Sequence, residues 1–109
     1  MTRDLEIYRY NSYTITMPQF EYDSKKSKNN KQHHGVDFEE AQELWVNTHV
    51  IIPAKNVTGE NRSAILGKIK GKHYMAIFTE RDESIRIISC HRADRRWQKE
   101  YENYIKPKE

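Results

Sequence analysis

The segment from Ile85 to Arg96 joins an apolar β-branched run to closely spaced cations, with Arg86, Arg92, Arg95 and Arg96 around Cys90 and His91. Arginine's planar fork matches phosphate oxygens two at a time. Histidine ionises near neutrality and so can accept or donate a proton. On a regular strand Arg86, Ile88, Cys90 and Arg92 share one face and Ile85, Ile87, Ser89 and His91 the other. That reading points Arg86 and Arg92 the same way, about 20 Å apart, and predicts contacts to successive phosphates. Asp94 is a helix cap, so Arg95 and Arg96 open a helix, where cations oppose its dipole unless an anion compensates. The competing reading is a set of exposed cations paired with Glu60, Glu80 or Glu83.

Other chemistries have less support. His33 and His34 are adjacent, Cys90 and His91 are adjacent, and no second cluster has zinc-like spacing. No glycine-rich phosphate loop and no serine, histidine and acid arrangement can be argued from sequence order. We therefore expect neither metal nor cofactor. Cys90 is the single cysteine, which rules out an internal disulfide and reads as a small packed residue.

The 109 residues carry nineteen Lys and Arg against sixteen Asp and Glu, a formal charge of only +3, so the distribution matters more than the sum. Residues 25–35 hold four lysines and no acid, whereas residues 36–54 hold four acids and neither lysine nor arginine. Such segregation gives a positively charged face that steers anions, and Lys26 and Lys31 lie in its first block. With 36% apolar residues, one modest core and one domain over residues 1–109 are expected. Met1 to Tyr13 is polar and no stretch reaches membrane-spanning length, which reads as a cytoplasmic protein.

The elements that must hold these side chains are legible in outline. Leu5–Tyr10 and Tyr13–Met17 alternate apolar and polar residues and suggest strands. Phe20 to Tyr22 is a short strand ending at Asp23, a helix cap. Ser24 to Gln32 contains no apolar residue, so it must be an exposed basic helix or a loop, ended by Gly35. Asp37 and Glu40 fit a capping box with Val36 stapled onto Ala41, and Phe38, Ala41, Leu44 and Trp45 then line one face of a helix. Val50–Ile52, Ser63–Ile69, His73–Thr79 and Ile85–His91 are predicted strands, the last three joined by turns short enough for an antiparallel meander. A final helix places Trp97, Tyr101, Tyr104 and Ile105 on one side, with Pro107 closing it.

Arg86-Ile87-Ile88-Ser89 followed by Arg92-Ala93 resembles the strand-to-helix corner of the BrnT toxins, RelE-like ribonucleases of type II toxin-antitoxin pairs. The resemblance runs from about Phe20 to Tyr101. It includes Phe20-Glu21-Tyr22-Asp23, then Lys26, Asn30 and the His34-Gly35 pair, then Val36 to Ala41. Gly59-Glu60 with Arg62 and Gly67, and Phe78-Thr79-Glu80-Arg81, continue the order. Two positions depart: His33 stands where the family usually has lysine, and Trp97 stands where its last helix usually has glutamate.

The resemblance implies an α+β fold, an antiparallel sheet packed against two or three helices, with a core over about residues 20–105. It implies an endoribonuclease that cuts RNA without metal and so inhibits translation, held in check by a BrnA-like antitoxin with a ribbon-helix-helix DNA-binding part, as a possible heterotetramer. His34, Arg62, Arg81, Arg86 and Arg92 are then the candidate catalytic residues, and Lys26, Lys31, Arg95 and Arg96 the RNA-binding ones. In such a reaction the 2′-hydroxyl attacks the adjacent phosphate, arginines meet the charge on phosphorus, and His34 transfers a proton. The Trp97 departure keeps a second reading open, a catalytically impaired RNA-binding or antitoxin-binding regulatory module. A DNA-binding domain would need a base-reading helix, and only Arg95-Arg96 offers one.

Overall fold

Lys70 and Gly71 both adopt left-handed backbone, at φ 50° and 81°, which a two-residue hairpin between right-twisting strands requires. Asp82 does the same at φ 53° in the next turn. These two turns join Ser63–Ile69 (β3), Lys72–Arg81 (β4) and Ser84–Arg92 (β5) into the expected antiparallel meander. The computed structural model describes residues 18–55 and 59–106; the strands expected before Pro18, and Pro107, lie outside them. Gln19–Glu21 (β1) and His49–Pro53 (β2) complete a sheet of order β1-β5-β4-β3-β2. The pairing of β1 with β5 is parallel, so the sheet is mixed where the meander alone would be antiparallel. The helices are Ser24–His34 (α1), Phe38–Ala41 (α2), Glu43–Val46 (α3) and Arg95–Ile105 (α4).

Each face of the sheet buries its own core. On one side Val36, Phe38, Ala41 and Leu44 pack onto Ile65, Ile69, Tyr74, Ala76, Phe78, Ile85, Ile87 and Cys90. On the other, Tyr101 and the partly buried Trp97 of α4 cover Ala64, Leu66, Met75 and Ala93. The capping box forms as expected: Asp37 accepts from the Glu40 N–H at 2.7 Å, and Glu40 accepts from the Asp37 N–H at 2.9 Å. The single helix expected to follow breaks at Gln42 into α2 and α3, yet Phe38, Ala41 and Leu44 still share the buried side. A Cβ on Gly67 would meet Leu44 Cδ2 at 3.1 Å and the Thr48 carbonyl at 3.2 Å, so glycine lets α3 approach β3 closely.

Helix α1 has no apolar stripe and is fastened through buried polar groups instead. Asp23 caps its start, and Gly35 ends it in left-handed backbone at φ 83°. The Ser27 hydroxyl accepts from the Phe38 N–H at 2.9 Å. Asn30 donates to the carbonyls of Val36 and Cys90 at 2.8 and 2.6 Å, and accepts from the Cys90 N–H at 3.2 Å. Strand β1 covers β5 only as far as Arg86. Beyond that point the Asn30 amide occupies hydrogen-bonding positions that a neighbouring strand would fill.

The register between β4 and β5 corrects one expectation. Ile77 pairs with Ser89 and Phe78 with Ile87, leaving Ile88 as an extra residue. Arg86 consequently lies across from Thr79, and Arg92 across from Tyr74. Thr79 and Tyr74 are an odd number of residues apart on one strand, so their side chains point to opposite faces. Arg86 and Arg92 therefore do not share a face, because the bulge reverses the alternation between them.

Candidate functional site

The loop before β3 delivers the first part of the site. Thr79, itself buried, donates to the Asn61 carbonyl at 2.7 Å, and the Ala54 N–H donates to the Arg62 carbonyl at 2.8 Å. These bonds hold the segment of Glu60 and Arg62 against β4 on one side and the end of β2 on the other. Arg81 at the end of β4 and Arg86 near the start of β5 lie on the same side as Thr79. Lys26 and Asp23 reach them from the start of α1, and the six side chains, with Ile87 and Ile88, enclose a cavity of about 240 Å³.

Four cations and two carboxylates line that cavity, so its field is positive. Glu60 bridges Arg62 at 3.4 Å and Arg81 at 3.6 Å, while Arg86 pairs with Glu21 at 2.8 Å. All these groups keep partial contact with water, and such pairs are weak. A phosphate could therefore compete for the guanidiniums while the carboxylates hold them in place. The Asp23 carboxylate is committed elsewhere: the Lys26 and Lys25 backbone N–H groups bind it and hold its pKa below the usual value.

A second cavity, of about 230 Å³, adjoins the first and shares Lys26 and Ile88 with it. Asn29, Asn30, His33, His34 and Phe38 complete its lining. The His34 ring lies against His91 across the strand edge, with centroids 5.9 Å apart. Cys90, beside it in sequence, is fully buried, and burial pushes its thiol up to about 12, which removes it as a nucleophile at neutral pH.

Of the residues singled out from sequence, Lys26, Arg62, Arg81 and Arg86 are brought together, and His34 lies in the adjoining cavity. The others are elsewhere. Arg92 is on the opposite face, its guanidinium 5.7 Å from the centre of the Tyr74 ring. Lys31 is held by Glu40 at 2.8 Å, a contact that raises its pKa. Arg95 faces a separate groove beside His73 and Glu102, and Arg96 lies 4.9 Å over the Trp97 ring. Glu60, Thr79 and Asn30 were not expected to shape the site. The sequence signal for them is their place in the family resemblance, where Asn30 is itself a matched position and Glu60 and Thr79 belong to matched blocks, without a role attached.

A mixed sheet with helices on both faces and a cation-lined groove at one edge defines a small α+β protein with positive charge concentrated at one sheet edge. The family model described as the ribonuclease toxin BrnT of type II toxin-antitoxin systems matches residues 22–96, and the chain belongs to that family. The crystal structure of the ribonuclease toxin BrnT of Brucella abortus superposes with a TM-score of 0.59 at 24% identity, over 73% of this chain and all of that one, which shows the shared fold. No curated protein matches the chain in sequence. Membership in a type II toxin-antitoxin family makes an antitoxin its counterpart. Among the described residues no helix is long and apolar enough to cross a membrane.

Proposed function

We propose that the chain is an endoribonuclease that cuts RNA without a metal ion, inhibits translation in the cytoplasm by doing so, and is neutralised by a BrnA-like antitoxin with which it forms a heterotetramer. The observation that carries this reading is the convergence of Lys26, Arg62, Arg81 and Arg86 from separate elements on one cavity. Cations gathered from distant parts of a chain repel one another, and an anionic ligand offsets that cost. In this reading the guanidiniums hold RNA phosphates by paired hydrogen bonds, and His34 moves the proton that a 2′-hydroxyl must lose before attacking phosphorus. Lys31, Arg92, Arg95 and Arg96, placed away from the cavity, supply at most long-range attraction for the strand.

Trp97 lines neither cavity. Its ring packs against the core under α4, so the missing glutamate gives little support to a module that binds without cutting. The test is to incubate the purified chain with labelled RNA, with and without a chelator, and to express it in a bacterial host. We expect cleavage that survives the chelator, and growth arrest that a co-expressed ribbon-helix-helix antitoxin relieves. Loss of cleavage on chelation would refute the metal-free mechanism, and intact RNA throughout would refute the nuclease.

A further inference from the structure

We propose that His91 is a second proton-transfer residue, which forms with His34 the acid and base pair that cuts RNA, while the arginine cavity holds a neighbouring phosphate. The proposal rests on the nuclease reading above and places the chemistry within it. The bulge at Ile88 is the first support. In an unbroken alternation His91 would point away from Arg86; the extra residue turns His91, which lies across from Met75, onto the face where Arg86 lies across from Thr79. The bulge thus exchanges Arg92 for His91 on the groove side.

The second support is the state of the ring. His91 Nδ1 lies 2.9 Å from the Arg92 carbonyl. A carbonyl only accepts, so Nδ1 carries a proton, and Nε2 is left for exchange. Nε2 has no hydrogen-bond partner among the described residues. The facing His34 ring likewise has no hydrogen bond there, whereas His33 is turned back to the Asn29 carbonyl at 2.8 Å. Two exchangeable imidazoles with centroids 5.9 Å apart are close enough to reach one phosphodiester lying along their outer edges, one ring serving the attacking oxygen and the other the departing oxygen on the opposite side of phosphorus.

The step balances without any co-reactant. Neutral His34 takes the proton of the 2′-hydroxyl as O2′ bonds to phosphorus. The P–O5′ bond breaks, and protonated His91 gives its Nε2 proton to O5′. The products are a 2′,3′-cyclic phosphate and a 5′-hydroxyl end, and the two rings have exchanged protonation states, which solvent restores. The charged or titratable groups near the pair are Lys26, Lys31 and His33 on α1, Arg92 on β5, Tyr74 on β4 beneath Arg92, and Glu40 of α2, which is paired with Lys31; no carboxylate lines the cavity that holds His34. Lys26, which lines both cavities, supplies a cation for the developing charge. Arg86 lies about 15 Å along the strand from His91, too far to serve the same phosphate.

The test compares His91→Gln, His34→Gln and Arg86→Gln with the wild-type chain on a short labelled RNA, measuring kcat, KM, their pH dependence and the melting temperature. Wild type should show a bell-shaped pH profile for kcat. His34→Gln should lose its acid limb and His91→Gln its alkaline limb, each lowering kcat about 100-fold or more at unchanged KM. Arg86→Gln should instead raise KM. A folded His91→Gln variant with wild-type kcat and both limbs intact would overturn the proposal while leaving the nuclease reading standing. A wild-type chain that cuts no RNA would overturn both. Products ending in 3′-phosphate with no trace of the cyclic form, even at early times, would overturn the transfer step.

Discussion

Asn30 and Cys90, sixty residues apart, exchange two hydrogen bonds: the Asn30 amide donates to the Cys90 carbonyl at 2.6 Å and accepts from its N–H at 3.2 Å. One side chain thereby stands in for a strand at the point where β1 has ended and β5 continues. This contact fixes α1 along the sheet edge, and with it the spacing between Lys26 and His34 on one side and Arg86 and His91 on the other. An apolar contact would hold the helix less specifically, because it could slide. The paired amide allows one register.

Replacing Asn30 by Ala should therefore destabilise the fold by about 3 kcal/mol, since it leaves the carbonyls of Val36 and Cys90 and the Cys90 N–H without their partner and each buried orphan costs roughly 1–3 kcal/mol. Asn30→Asp should fare no better, because its carboxylate would face two carbonyls. Urea unfolding measures both. A loss below about 1 kcal/mol in Asn30→Ala would show that α1 is held by something else.

The two strand arginines should behave differently. Arg86→Gln should weaken RNA binding and reduce the salt slope by about 0.7 for one lost single-strand phosphate contact. Arg92 lies on the other face over Tyr74, so Arg92→Gln should leave the slope near its wild-type value. Binding titrations across a range of salt concentrations distinguish them. Equal losses in both variants would mean that RNA wraps the β5 edge onto both faces.

How much of this could be read from sequence depends on the kind of interaction. The second hairpin strand, the capping box at Asp37 and the αL cap at Gly35 follow from local chemistry, and each stands where periodicity and turn residues put it. The bulge does not. Ile85 to Cys90 alternates well enough to pass for an unbroken strand, and only pairing with Ile77 and Phe78 reveals the extra residue. Helix α1 is only half legible for a related reason: its caps at Asp23 and Gly35 can be read and leave a choice of helix or loop, but hydrophobic periodicity cannot register an anchor made by Ser27 and Asn30, whose partners are backbone groups remote in sequence. The arginines could be picked out by type, but the cavity that selects Arg62, Arg81 and Arg86 over Arg92 is a product of register.

Glu40 gives the fold a defined sensitivity to acid. Its carboxyl is held below the ordinary value, first by the hydrogen bond from Lys31 and then by the Asp37 backbone N–H. A pKa lowered in the folded state contributes stability that is complete above the ordinary carboxylate range and is lost as pH falls through the lowered value. Glu40→Gln keeps a capping-box side chain but loses the charge. Wild type should melt a few degrees above Glu40→Gln at neutral pH, on the order of 0.5–1 kcal/mol for a partly exposed pair. That gap should close in acid. A gap that persists at the lowest pH would assign the effect to shape rather than charge.

Trp97 separates a structural departure from a catalytic one. It occupies the third position of α4, where its N–H is accepted by the Asp94 side chain at 3.1 Å, and its half-buried ring packs with Ala64, Leu66, Met75 and Tyr101. Trp97→Ala should cost about 2 kcal/mol, below the range for a fully buried indole. Trp97→Glu should recover part of that loss, because Asp94 and the new carboxylate complete a capping box worth about 1 kcal/mol. Since the position lines neither the arginine nor the histidine cavity, RNA cleavage by folded Trp97→Glu should match wild type within about threefold. A rise of 100-fold or more, the usual effect of supplying an acid or base, would place the reacting phosphate at the start of α4 and count against both cavities as the centre of the chemistry.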